Sequence, residues 1–119
     1  MDGSRFIWQL HGHGTVGAAQ VAHYKLPCDA TLVQVDAVTT DGTVGTLKIG
    51  IPGTAEAYLT AFTFGASNVP TVVNRGDFNG SLVTDTAECP HIAKDTVLEI
   101  TVSNASMVNP DVLLTFLEG

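Results

Sequence analysis

Charge is scarce in this chain. Only 14% of its residues are Asp, Glu, Lys or Arg, and five of those are basic against twelve acidic. The formal net charge of -7 would repel a phosphate backbone instead of releasing its counterions, so no nucleic-acid partner is expected. Long apolar runs are missing too. Nothing approaches the ~20 apolar residues that a membrane-spanning helix needs, and the N-terminus lacks the basic start and apolar stretch of a signal peptide. The expectation is a soluble chain with no membrane partner that enters no secretory route of its own.

Cysteine is limited to Cys28 and Cys89, each beside a proline and therefore on a turn or strand start. A disulfide between them stays open. Without a secretory signal the reading is two reduced thiols, and their separation matches no zinc spacing. Glutamate is sparse as well: Glu56, Glu88, Glu99 and Glu118 fall in turns, on a wet strand face or at the C-terminus, so no carboxylate pair for glycoside hydrolysis stands out. No glycine-rich phosphate loop precedes a helical pattern. The chain is not expected to be an enzyme, and no cofactor is expected.

β-Branched residues are plentiful. Thr, Val and Ile make up 34 of the 119 residues, and such side chains fit a pleated, half-buried surface better than a helix. With 45% hydrophobic residues the chain is too apolar for disorder, and its length suits one compact domain. Twelve Gly and five Pro scattered between short apolar runs read as turn punctuation.

Alternation locates the strands. Thr96 to Asn104 is the clearest, with Leu98, Ile100 and Val102 on one face. Asp111 to Glu118 is apolar on both faces and reads as a central strand. Thr31 to Val38 sets Val33, Val35 and Ala37 against Leu32, Gln34, Asp36 and Val38, and ends at the turn signal Thr39-Thr40-Asp41-Gly42. Thr46 to Ile51 follows and is stopped by Pro52-Gly53. Further strands are expected at Phe6 to Leu10, Gly17 to Tyr24 and Tyr58 to Phe64. Between Gly65 and Glu88, Val72-Val73 and Leu82-Val83 read as edge pieces among long loops. Leu26 to Leu32 resembles Ile92 to Leu98: each has an apolar plug, an Asp-led turn and then a strand. The pattern calls for an all-β, two-sheet antiparallel β-sandwich, with a jelly roll as the first choice over an immunoglobulin-like arrangement.

Candidate chemistry is thin. His11 and His13 share a side of an extended segment, but a metal site needs three or four ligands, and His23 and His91 stand apart. Forcing His11, His13 and His91 together would give a metal-dependent enzyme of the double-stranded β-helix kind. No metal is expected. Cys89 with His91 suggests a thiol nucleophile but lacks an orienting third group. Asp29, Asp36, Asp41, Asp77, Asp85 and Asp95 read as turn starters instead of calcium ligands. Arg75-Gly76-Asp77, a tripeptide read by adhesion receptors, reads as an ordinary charged turn.

Residues 1-14 stand apart from the rest, residues 15-119, which form the sandwich. Phe6, Ile7 and Trp8 are followed by glycines at 12 and 14. This segment either opens its own sheet or extends as an arm that adds to a neighbour's sheet edge, where large apolar side chains find pockets.

The run His23-Tyr24-Lys25-Leu26-Pro27-Cys28-Asp29-Ala30-Thr31-Leu32-Val33 is followed by Gly45-Thr46-Leu47-Lys48-Ile49-Gly50, Gly76-Asp77-Phe78 and Pro90-His91-Ile92 before Thr96-Val97-Leu98. With the ending Leu114-Thr115-Phe116-Leu117-Glu118-Gly119, these resemble the small jelly-roll decoration, or cement, proteins of tailed bacteriophages. The resemblance implies a non-catalytic sandwich made in the host cytoplasm and placed on the capsid exterior. It further implies self-association as a dimer or trimer and the major capsid protein as partner. Phe6, Ile7 and Trp8 are the positions it assigns to capsid anchoring. The alternative is a carbohydrate- or receptor-binding module at a head fibre or tail tip, with Trp8, Tyr24 and Tyr58 as stacking candidates.

Overall fold

The computed structural model describes residues 4–11, 15–16, 20–40, 45–64, 67–103 and 107–119. The described residues form eleven strands and no helix: β1 (Arg5–His11), β2 (Thr15–Val16), β3 (Gln20–Lys25), β4 (Ala30–Val38), β5 (Thr46–Ile51), β6 (Thr54–Thr63), β7 (Thr71–Val73), β8 (His91–Ile92), β9 (Val97–Ser103), β10 (Met107–Val108) and β11 (Asp111–Glu118). One sheet runs β1-β11-β4-β7, with β8 also paired to β4. The other runs β3-β9-β5-β6, and β2 pairs with β10. All the described strand pairs are antiparallel. Between β3 and β9 the chain crosses from sheet to sheet repeatedly, wrapping the two layers as a jelly roll does.

Period-2 patterning explains which faces meet. Leu98, Ile100 and Val102 of β9 and Val112, Leu114 and Phe116 of β11 are fully buried, facing one another across the sandwich. Together with Leu32, Leu47, Ile49 and Phe78 they belong to one continuous core. Each such side chain contributes ~1.5–3 kcal/mol by leaving water. As its apolar pattern foretold, β11 is central, between β1 and β4.

Three strand expectations are corrected. The alternation in β4 is broken because Thr115 faces Gln34 while Phe116 faces Leu32, leaving Val33 as a bulge. Leu32, Val35 and Ala37 therefore point inward together, and Val33 does not join them. β6 begins at Thr54, four residues earlier than expected, because the Pro52-Gly53 turn is a tight hairpin with Gly53 at φ 88°. Leu82-Val83 forms no strand. Ser81 and Leu82 instead donate single backbone bonds to the carbonyls of Glu56 and Ala57, so the segment straps the outer edge of β6.

The two similar segments at 26–32 and 92–98 lie against each other where the chain changes sheets. The Leu26 N–H donates to Thr96 O, the Asp95 N–H donates to Leu26 O, and the Lys94 N–H donates to Asp29 Oδ1 at 2.7 Å. Leu26 and Ile92 plug that end of the core.

Candidate functional site

Residues 5–11 form the first strand of their own sheet, paired residue for residue with β11 from Arg5↔Leu117 to His11↔Asp111. Alternation then sorts the three proposed anchoring residues. Phe6 stacks on Phe116 with ring centroids 5.0 Å apart, and Trp8 stacks on Tyr24 at 5.5 Å. Ile7 faces the other way and is 62% exposed. β1 has one hydrogen-bonded neighbour, so its second edge is open among the described residues; β3 ends the other sheet in the same way. The stacked rings show that these two edges lie side by side.

The outer face of the five-stranded sheet carries a concavity. A groove of about 490 Å³ is lined by Gln9 of β1, Asp111 and Leu113 of β11, Asp36 and Val38 of β4, and Pro70. Register places Leu113 opposite Asp36 and Gln9 opposite Leu113, so three adjacent strands contribute to one surface. Gln9 Nε2 donates to Asp111 Oδ1 at 3.2 Å, His11 Nδ1 lies 2.6 Å from the same oxygen, and Gln34 Nε2 donates to both oxygens of Asp36. A second hollow of about 420 Å³ adjoins it through Val38 and Asp111, adding Thr40, Asn68 and Asn109. From sequence Asp36 reads as a turn starter, and Gln9 and Asp111 belong to no motif. The available signal was strand parity, which sets Gln9, His11, Asp111 and Leu113 on one face.

Other candidates are placed apart from one another. His13, of the expected imidazole pair, and Asp41 lie outside the described residues. His23 Nε2 is 3.3 Å from Glu99 Oε2, its register partner within the four-stranded sheet, and His91 sits in β8. No group of three or more His, Cys, Asp or Glu that could hold a metal occurs among the described residues.

Cys28 and Cys89 are free thiols. Cys89 Sγ faces the Val33 carbonyl at 4.0 Å, and burial pushes its thiol up against the opposing pull of Arg75, which disfavours the thiolate that a nucleophile paired with His91 would need. Arg75 Nε donates to Ala87 O, and Asp77 Oδ2 accepts the Asn74 N–H, so the Arg75-Gly76-Asp77 side chains are tied into their own turn. Asp29 and Asp85 likewise accept backbone N–H groups. Tyr58 is buried and Trp8 and Tyr24 are half-buried, stacked on each other.

No protein-family model matches this sequence, and no curated protein does. Solved structures do. A chain of the capsid asymmetric unit of cyanophage Pam1 is similar at a TM-score of 0.60 and 19% identity, over 99% of this chain and 87% of that one. A family 35 carbohydrate-binding module from Clostridium thermocellum aligns at a TM-score of 0.49 and 6% identity, over 97% of this chain and 92% of that one. A family 36 module in complex with calcium and xylotriose aligns at 0.37 and 11%, over 95% and 87% of the two chains. The first of these likenesses shows the fold: an all-β, two-sheet sandwich spanning essentially the whole chain.

Proposed function

We propose that this chain is a structural virion protein, a cement or decoration subunit on the exterior of a phage capsid that binds and bridges major capsid proteins. The observation that carries this reading is the end-to-end match of the sandwich to a chain of the cyanophage capsid asymmetric unit. In this role it works by adhesion and is not an enzyme. Each subunit contributes a modest interface, and self-association as a dimer or trimer converts several weak contacts into durable attachment.

Of the three anchoring positions, Ile7 is the one that reaches outward. Phe6 and Trp8 act beneath it by holding β1 rigid against the core. An added strand from the capsid protein would pair with the edge of β1 that is open among the described residues, with Ile7 beside it on the outer face. Cosedimentation with emptied capsids of the phage that encodes the chain tests this. Removing residues 1–14 would strip β1 from its sheet, so Ile7→Glu is the cleaner variant. The expected result is that the wild-type chain pellets with capsids and Ile7→Glu pellets at least about tenfold less while melting normally. A wild-type chain that stays in the supernatant at every concentration would overturn the reading.

A further inference from the structure

We propose that the groove on the outer face of the five-stranded sheet receives an arginine side chain from a partner protein segment laid across that face. The identity of that partner as the capsid protein rests on the function proposed above; the chemistry of the groove does not.

The floor is apolar, built from Val38, Leu113 and Pro70, and the walls carry Asp36 and Asp111. These carboxylates sit on neighbouring strands as diagonal neighbours, because Asp111 stands opposite Val38 and Leu113 opposite Asp36. Diagonal positions are separated by roughly 7 Å, a gap that a planar guanidinium with donors on both sides fills. No lysine or arginine meets either carboxylate among the described residues, whose ion pairs are His11–Asp111, His23–Glu99 and Lys25–Asp95. The bonds to Asp111 fall on Oδ1, from Gln9 and His11, which leaves Oδ2 available to a ligand. In a chain of net charge -7 this is a concave, negative, half-apolar surface.

The occupant must suit both parts. A bare divalent cation would want about six oxygen ligands, not a floor of Leu, Val and Pro. A sugar ring would want an aromatic plate, and the groove lining has none. An arginine offers an aliphatic stem for the floor and a flat, bidentate charge for the carboxylates. The surroundings favour an arginine carried by a protein over a free amine. Exposed Ile7 lies along β1 beside Gln9, and Val72, 41% exposed, stands directly opposite Asp36 in β7, so apolar contact continues on both sides of the groove.

The experiment titrates the ¹⁵N-labelled protein with acetyl-Gly-Arg-Gly-amide and with its uncharged isostere acetyl-Gly-citrulline-Gly-amide. The arginine peptide is expected to shift the amides of Gln9, Asp36, Asp111 and Leu113 and to bind about fivefold or more tightly than the citrulline peptide, a difference that shrinks as salt is raised. Asp36→Asn with Asp111→Asn should abolish that preference, and Leu113→Lys, which places an internal cation over the same floor, should do so independently. Equal shifts with both peptides, or shifts confined to another surface, would overturn the proposal. So would a wild-type chain that pellets with capsids alongside an Asp36→Asn, Asp111→Asn double variant that pellets equally well. Arginine-selective binding by a chain that never pellets would keep the groove and remove the capsid as its partner.

Discussion

Trp8 and Tyr24 stack with their planes 22° apart, one ring from the last strand of each sheet, so a single aromatic contact closes the side on which both sheets end. Phe116 extends the stack, 6.0 Å from Tyr24 and 5.0 Å from Phe6. Trp8→Ala is expected to cost about 2–3 kcal/mol, below the full price of a completely buried tryptophan because the ring is half-exposed. Tyr24→Ala should cost a similar amount, and the double variant less than their sum. Urea melts followed by circular dichroism measure all three.

The strap over β6 depends on a missing side chain. A Cβ at Gly80 would come within 2.2 Å of the Glu56 carbonyl oxygen and 2.6 Å of that of Ala57, both backbone atoms that cannot rotate away. Gly80→Ala should therefore detach residues 79–82 and expose Phe78, lowering stability by roughly 2–4 kcal/mol. Gly53→Ala meets nothing within 4 Å and suffers only from its φ of 88°, so about 1 kcal/mol is expected. Thermal denaturation of the two variants should separate these costs.

Alkaline pH should weaken the fold. Burial pushes the Cys28 thiol up, aided by Glu118 and Asp29 against the opposing Lys94, and burial likewise raises Cys89, Tyr24 and Tyr58. Because the folded state holds these protons more tightly, stability is complete below the ordinary thiol value of 9.0 and falls as pH climbs through the raised values. Urea midpoints should be level from pH 7 to 8 and decline above about 9. Both thiols should also react with a disulfide reagent more slowly at pH 8 than a free cysteine does.

Asp29 fastens the two crossing segments together by accepting the Lys94 N–H. Asp29→Ala should remove ~1 kcal/mol and speed hydrogen exchange at the Lys94 amide, while Asp29→Asn, which keeps an acceptor oxygen, should retain most of the protection.

Much of the sandwich was legible because burial follows parity wherever a strand is regular. Leu98, Ile100 and Val102 were assigned to one inward face and all three are fully buried. Val33 departs from the face its parity predicts because a bulge shifts parity without leaving a mark in residue type. Leu82-Val83 misled for a related reason: a buried Val83 needs only an apolar neighbour, not a ladder. The groove was less legible still. Gln9, Asp36 and Asp111 are far apart in sequence, and only the order β1-β11-β4 brings them onto one surface. A period of two tells which side a residue faces but not which strand lies beside it.

The position of β11 between β1 and β4 sets the timing of assembly. Ribosomal synthesis delivers residues 111–118 after the ten other described strands, so until they emerge β1 lacks its one described neighbour and β4 lacks one of its flanks. The five-stranded sheet can close only once the chain has been made through Glu118, and a nascent polypeptide stalled before Asp111 would leave Phe6, Trp8 and Tyr24 open to chaperones or to other unfinished chains.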